Sequence, residues 1–501
     1  MAALISAGLS GLSRLNGSAR GNLSRLNGTA RDGLSRLNRS TRGRLSRLNG
    51  SARGRLSRLN RSTRGRLSRL NGSARDGLSR LNGTARSGLA GLAGAGVGAV
   101  AQFLMVVLVT REAGQETAGA FFAATALCMM VAAILRMDAG NGLIYFIVRS
   151  RPFGYRCTSG YVRAALVPVT LLSLAVGAAV FVNVSDPALR VLAVALPVVT
   201  CSGIVVSATR GFGAMRPTVL LDGMFQPVAQ LVLVGTALLA GLGSVPVLAA
   251  AWALPSLPVL LLASLWLHRR LPYTPYLPGT ARDLWRHTWP RSLAAAIQAV
   301  FQRLDIVIVA MLAGPAEAAV YTAATRFKVV GQLAGQALAQ ATQPRLVRAL
   351  AKGNLPRARE LYQSAAMWLV LMTWPIWLGY AVLAPWLLGA VFGDGYASGV
   401  PVALILAATM MLSTACGMAD VVLTSAGRTG SSLANLVAAI AVTVALDVLL
   451  IPGFGALGAA LGWAGGMVVK NLLPLWRIHR LYGLRPFGVH SLAALKPWRA
   501  S

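Results

Sequence analysis

The amino-acid sequence predicts an all-α polytopic membrane protein with about twelve transmembrane helices in two pseudo-symmetric six-helix lobes, preceded by a repetitive N-terminal tail. Three observations support this fold class. Of the 501 residues 55% are hydrophobic and only 12% are charged, whereas soluble domains carry about 25% charged residues. Apolar runs long enough to cross a bilayer recur from Leu89 onward, and an internal repeat relates the two halves. This composition excludes a soluble enzyme core, a collagen-like fibre and a disulfide scaffold.

The tail, residues 1–88, holds 19 Arg and 2 Asp, which is half of the net charge of +34. Leu-Ser-Arg-Leu-Asn recurs there seven times with an 11-residue period that starts at Leu12. Eleven residues match three helical turns, so a helix would separate a leucine face from an arginine face. Such a helix suits an anionic membrane surface, although glycines in each copy disfavour helix in water. Three interpretations stay open: lipid contact, an inert solvated tail, and binding of nucleic acid or protein.

Twelve apolar runs of about 18 to 24 residues follow the tail, each sufficient for a transmembrane helix. The predicted spans are 89–109, 118–135, 164–184, 191–208, 217–240, 245–267, 292–313, 320–341, 365–384, 398–418, 431–451 and 456–475. Connections after even-numbered spans, with the C-terminal tail, hold 23 Lys and Arg, against two after odd-numbered spans. Because Lys and Arg accumulate on the cytoplasmic side, both termini are predicted to be cytoplasmic in a multi-pass protein of the cell membrane.

An internal repeat aligns residues 100–127 with residues 300–327 without gaps, and 11 of the 28 positions are identical. The offset of 200 places span 1 on span 7 in the same orientation, as in transporters built from two parallel halves. Chance similarity between apolar segments is the alternative. The predicted organisation is a tail at 1–88, a first lobe at 89–267, a cytoplasmic linker at 268–291, a second lobe at 292–475 and a C-terminal tail at 476–501.

Polar side chains recur inside three predicted spans, where a charge is costly without a partner or water. Arg303 and Asp305 lie near the middle of span 7, and their spacing directs them to opposite sides of a helix. The other candidates form stripes: Gln298 and Gln302 with Asp305 in span 7; Lys328, Gln332, Gln336 and Gln340 in span 8; Asp222, Gln226 and Gln230 in span 5. These stripes predict the walls of one wet cavity, and hydrogen bonds between packed helices are the alternative.

No feature of the sequence predicts an enzyme, a cofactor or a metal site. The four cysteines are scattered, and the four histidines lack neighbouring Cys or carboxylates at ligand spacing. The predicted external loops are short and contain no nucleophile with an adjacent base or paired carboxylates, and there is no phosphate-binding loop. We therefore expect neither catalytic residues nor specific nucleic-acid binding.

Several motifs resemble one transporter group. They are Gln302-Arg-Leu-Asp-Ile-Val-Ile-Val, Ala313-Gly-Pro-Ala-Glu-Ala-Ala-Val-Tyr, Ala351-Lys-Gly-Asn, Val391-Phe-Gly-Asp-Gly-Tyr, Ser425-Ala-Gly-Arg-Thr, Ile451-Pro-Gly-Phe-Gly-Ala-Leu-Gly and Met137-Asp-Ala-Gly-Asn-Gly-Leu. Each motif is loose, but along the chain they occur in the family's order. The chain resembles the polysaccharide and oligosaccharide flippases of the multidrug/oligosaccharidyl-lipid/polysaccharide (MOP) exporter superfamily, over about residues 89–485.

The resemblance implies two six-helix lobes that open alternately to either side and flip a lipid-linked oligosaccharide or polysaccharide precursor. It implies basic residues in the cavity, for which Arg303, Arg326 and Lys328 are the matching positions. The implied partners are the lipid-linked glycan, membrane lipids and glycan-assembly proteins. A multidrug or cation antiporter of the same superfamily is the alternative, and a lipid II flippase, a group that typically has fourteen spans, is the third. The glycan, its lipid carrier, the coupling ion and the oligomeric state do not follow from the sequence.

Overall fold

The computed structural model describes residues 94–150, 157–272 and 279–491, and within these ranges the chain forms α-helices joined by short turns. The predicted tail and the end of the C-terminal segment lie outside the described residues. The first lobe comprises α1 Gly94–Glu112, α2 Gly114–Leu135, α3 Ala139–Ser150, α4 Thr158–Asn183, α5 Pro187–Gly211, α6 Thr218–Leu239 and α7 Val245–His268. The predicted all-α fold is confirmed.

The second lobe comprises α8 Thr280–Leu312, α9 Pro315–Thr325, α10 Lys328–Ala351, α11 Leu355–Phe392, α12 Val400–Ala415, α13 Ala419–Ser425 and α14 Thr429–Tyr482. A short 3₁₀ turn, Asp394–Gly399, precedes α12. Among the described residues ten helices are long and apolar enough to cross a membrane.

Two departures from regular helix reconcile these ten helices with the twelve predicted spans. The 54-residue α14 breaks at Gly455, which has φ 55° and ψ −132°. Its two limbs run antiparallel, because Gly462 lies against Asp447 and Gly466 lies against Thr443. They correspond to predicted spans 11 and 12. Predicted span 8 is divided between α9 and α10, and counting these two as one crossing gives twelve.

Other differences concern a helix too short to cross the membrane and a polar helix start. The helix α3 was not predicted, and α8 begins at Thr280, inside the predicted linker 268–291. The reason is packing: the N-terminal turns of α8 lie on the first lobe, where Thr288 fills the space beside Gly142. Ser292 Oγ also donates to the carbonyl of Met137 at 2.5 Å. Tertiary contact thus extends helix beyond the apolar run.

The predicted repeat is visible in the backbone. Helices α1 and α8 end at equivalent positions, and Gly114 and Gly314 follow them with φ values of 72° and 92°. The preceding amides, of Ala113 and Ala313, donate to carbonyls four residues back at 3.0 and 2.9 Å. Positive φ favours glycine at both turns. The same sequence therefore builds the same helix–turn–helix twice.

The lobes contact each other at the end where α1 finishes, which the charge distribution predicts to be external. Gln115 Nε2 donates to the carbonyl of Gly395 at 2.6 Å, and Arg111 Nε donates to that of Val391 at 2.9 Å. Gly119 lies directly against the carbonyl of Pro315, so that no side chain fits there. The described state is therefore closed at this end.

Candidate functional site

Arg303 and Asp305 of α8 point to opposite sides, as their two-residue spacing predicts. Asp305 is 3% exposed and faces the interior of the second lobe. Arg303 is half-buried and lies within electrostatic range of Cys128 and Arg136, which belong to the first lobe. One helix therefore presents an acid to its own lobe and a guanidinium to the other.

Asp305 is the centre of a buried network. The hydroxyl of Tyr321 donates to its Oδ2 at 2.7 Å, and Lys328 Nζ lies 3.4 Å from the same oxygen. The ammonium also lies 5.2 Å from the ring centroid of Trp463. Buried charges persist when they are paired and hydrogen-bonded. Lys328 is therefore the counter-charge of Asp305 in this network.

A second buried carboxylate, Asp447, lies on the first limb of α14. It is fully buried, and neither oxygen has a hydrogen-bond partner among the described residues. It lies within electrostatic range of Asp305 and Tyr321. Thr443 and Asn435, on the same face at intervals of four and twelve residues, also hold buried polar atoms without partners in the described ranges. An unpartnered buried carboxylate is unstable as a bare charge, which suits uptake of a proton or cation.

Three arginines follow the face of α2 that meets the second lobe. The guanidinium of Arg326 lies 5.7 Å from the ring centroid of Phe122. Arg303 lies within electrostatic range of Cys128, and Arg136 directly follows α2. At 1.5 Å per residue the three levels are about 9 and 12 Å apart along the helix. We call Arg326, Arg303 and Arg136 the arginine row.

The arginine row is available to an anion. In the described part of the chain none of its members forms an ion pair, and Arg326 Nε is buried without a hydrogen-bond partner. Arg136 is positioned by Ala132, whose carbonyl accepts from Nε at 3.3 Å, and by close contact with Gly203 of α5. Arginine forks bind phosphate oxygens two at a time.

The α6 stripe is used inside the first lobe. Gln230 is 3% exposed; it accepts from Gln102 at 2.8 Å and donates to the carbonyl of Trp252 at 3.0 Å. Gln226 Nε2 lies 3.3 Å from Ser256 Oγ. For this stripe the contacts are hydrogen bonds between packed helices, which is the alternative to a wet cavity wall.

The remaining candidates are dispersed. Asp222 lies in a π-helical segment, 4.0 Å from Arg210 and within electrostatic range of Arg136. Gln298 is half-buried, and Gln302 is exposed. The side chains of Gln332, Gln336 and Gln340 lie outside the described residues. The candidates that the structure brings together are therefore Asp305 with Lys328, and Arg303 with Arg326.

Sequence reasoning missed Arg136, Tyr321 and Asp447. Arg136 directly follows the apolar run of span 2, a position that predicts a charge in a cytoplasmic loop. Asp447 had a usable signal, because Asn435, Thr443 and Asp447 repeat on one face of span 11 as the glutamines do in span 8. Tyr321 had none, since a tyrosine beside apolar residues reads as packing.

Comparison with known proteins supports the class that the fold defines. The structure resembles an inward-facing multidrug resistance MATE family transporter of the MOP superfamily, with a TM-score of 0.60, 17% identity, and coverage of 77% of this chain and 95% of that chain. It also resembles the lipid II flippase MurJ in an inward closed conformation, with a TM-score of 0.65, 12% identity, and coverage of 81% and 90%. An outward-facing multidrug resistance MATE family transporter matches with a TM-score of 0.51 and 17% identity, over 80% of this chain and 95% of that chain. The fold is that of these MOP-superfamily transporters.

The family model for "Polysaccharide biosynthesis protein" matches residues 122–401. The chain belongs to this family. The matched residues run from α2 to the start of α12 and include Arg136, Arg303, Asp305, Arg326 and Lys328. The search of curated proteins returned no match.

Proposed function

We propose that the protein is a flippase that moves a lipid-linked oligosaccharide or polysaccharide precursor across the cell membrane by alternating access. The observation that supports this most is the arginine row, because its three guanidiniums lie where α2 meets the second lobe and form no ion pair among the described residues. Asp305 and Asp222 lie only within longer electrostatic range of them. A lipid-linked sugar carries phosphate groups that need fixed positive charge in a low-dielectric setting. The row offers them successive binding positions along α2.

The buried network is the proposed coupling element. Asp305, Lys328 and Asp447 lie in one lobe, and Asp447 has no hydrogen-bond partner among the described residues. Uptake of a proton or small cation at Asp447 would change the charge balance around the Asp305–Lys328 pair. Since α8 carries both Asp305 and Arg303, the network is two residues away from the arginine row on the same helix.

A multidrug or cation antiporter is the second candidate, and the two buried carboxylates favour it. Reconstituted protein should be assayed for flipping of labelled lipid-linked sugars and, in parallel, for efflux of cationic dyes. We expect flipping and no efflux. Dye efflux that Asp305→Asn abolishes, without glycan flipping, would replace the flippase proposal by the antiporter.

The direct test of the arginine row is Arg303. We expect Arg303→Ala to reduce flipping at least a hundredfold, and Arg303→Lys to impair it as well, because lysine lacks the bidentate fork. Arg282→Ala is the control, since it removes an exposed arginine from the same helix. Wild-type flipping by Arg303→Ala at equal membrane abundance would refute the proposed role.

The proposed orientation has both termini in the cytoplasm, from the 23-to-2 distribution of basic residues. In a variant without native cysteines, Cys at position 398 should react with an impermeant thiol reagent from outside, and Cys at position 431 only from inside. Ser398 is exposed beside α12 and Ser431 lies near the start of α14. The opposite labelling pattern would reverse the orientation.

A further inference from the structure

A basic and aromatic cavity lies away from the arginine row, between α3, the start of α4 and the N-terminal turns of α8. Its volume is about 600 Å³. A neighbouring cavity of about 480 Å³ shares Tyr145 and Arg149 with it, and its other residues include Ile144 and Val148. We propose that these two cavities together bind one anionic phospholipid, with its headgroup phosphate in the first cavity and an acyl chain in the second cavity. The proposal goes beyond the flipped cargo and does not depend on it.

The charges of the first cavity call for an anion. Arg149 of α3 and Arg286 of α8 both line it, and Asp283 is the carboxylate that lines it with them. Within the described ranges neither arginine forms an ion pair. Two guanidiniums around one cavity repel each other, and a phosphate between them removes the repulsion and accepts hydrogen bonds from both.

A third arginine, Arg291, lines the second cavity and is already engaged. Arg291 Nε lies 3.0 Å from Asp138 Oδ2, and Asn141 Nδ2 donates to the other oxygen of that carboxylate at 2.6 Å. This pairing leaves Arg149 and Arg286 as the cations that face the first cavity without a partner among the described residues. These two exposed arginines are therefore the proposed headgroup contacts.

Aromatic rings shape the walls. Tyr145 stacks on His287 with centroids 4.4 Å apart and an interplanar angle of 14°. Phe146 stacks on Tyr161 at 4.5 Å and 20°. Aromatic residues concentrate at the depth of lipid headgroups. The two stacks, formed by Tyr145, Phe146 and Tyr161 of the first lobe and His287 of α8, line this open cavity.

The apolar second cavity decides between an amphiphile and a free phosphate. Two of its side chains on α3 are open to an acyl chain, since Tyr145 is 45% exposed and Val148 is 51% exposed. An acyl chain covers such side chains, whereas a free anion leaves them in place. The site lies at the end of the bundle predicted to be cytoplasmic, where anionic phospholipids concentrate. A phospholipid there bridges α3 of the first lobe and α8 of the second.

The test uses full-length protein in neutral detergent with added phosphatidylglycerol, phosphatidylcholine or inorganic phosphate. We expect phosphatidylglycerol alone to raise the melting temperature, and native mass spectrometry to show one retained molecule. Arg149→Gln combined with Arg286→Gln should raise the half-maximal phosphatidylglycerol concentration at least tenfold, because two charge-assisted contacts are lost. Arg282→Gln, which removes a charge from the same helix outside the cavity, should behave as the wild type.

Equal melting temperatures in phosphatidylcholine establish that the variants fold, and Arg149→Gln alone serves if the double variant does not. Equal half-maximal concentrations in wild type and variant would overturn the proposal. Stabilisation by inorganic phosphate alone would also overturn it, as would retention of polyprenyl phosphate in place of phosphatidylglycerol. That last result would assign the cavity to the transported class of lipid.

Discussion

The two halves of the chain repeat one helix–turn–helix at an offset of 200 residues and place opposite chemistry on it. The equivalent positions are Met105 and Asp305, Phe121 and Tyr321, and Cys128 and Lys328. In the first half all three side chains are buried and apolar, with exposures of 4%, 0% and 6%. In the second half Lys328 forms an ion pair with Asp305, and the hydroxyl of Tyr321 donates to the same carboxylate. Similar backbone thus supports either a dry contact or a buried charge network.

The two halves also differ at the positions of the arginine row that the repeat contains. Phe103 and Ala126 occupy the positions equivalent to Arg303 and Arg326. Phe103 packs on Phe327 and Phe392 with centroids 5.5 and 6.0 Å apart. The first lobe therefore meets the second with packing groups at these positions, while the second supplies the charge. The repeat therefore preserves the backbone, and the proposed function depends on the positions at which its two copies differ.

The largest effect is expected from replacing one partner of the buried Asp305–Lys328 pair by an apolar residue. Lys328→Met leaves Asp305 buried without its counter-charge, which costs about 3–5 kcal/mol of stability. Adding Asp305→Met, which introduces the residue found at the equivalent position 105, removes the buried carboxylate as well, and we expect it to restore most of the melting temperature because a buried ion pair is replaceable by apolar packing. Flipping should stay abolished. A double variant as unstable as Lys328→Met would show that the two halves do not tolerate the same core.

An intermediate effect is expected where α14 folds back on itself. A Cβ at Gly462 would lie 1.9 Å from Asp447 Oδ1, so Gly462→Ala should destabilise the protein by about 1–3 kcal/mol through overpacking. Gly379→Ala is the matched control, because no atom lies within 4 Å of its added Cβ. Melting temperatures in detergent measure both. Equal values would mean that the limbs of α14 separate without loss.

The smallest change in stability is expected at Gly203, which positions Arg136 in the first lobe. A Cβ there would lie 2.7 Å from Arg136 Nη1. The guanidinium is the end of a flexible side chain, so Gly203→Ala should move it with little change in melting temperature. Flipping should nevertheless fall severalfold, whereas Gly96→Ala, in open space, should be neutral. Unchanged flipping in Gly203→Ala would remove Arg136 from the arginine row.

Local sequence was sufficient for the spans, the repeat and the opposite directions of Arg303 and Asp305. Each depends on helical periodicity or on apolar length, which neighbouring residues in the chain specify. The turns at Gly114 and Gly314 likewise follow from a local requirement for positive φ. The family resemblance, which depends on the order of short motifs, was confirmed by the match over residues 122–401.

Only the tertiary structure decided which polar residues share a site. The glutamines of α6 and the charges of α8 carry the same kind of sequence signal, yet Gln230 hydrogen-bonds within the first lobe and Asp305 pairs with Lys328. Which helix faces which is set by packing between residues distant in sequence, such as Tyr321 against Asp305 or Arg326 against Phe122. Periodicity gives the direction of a side chain from its own helix axis, and the partner in that direction depends on the assembly of the lobes.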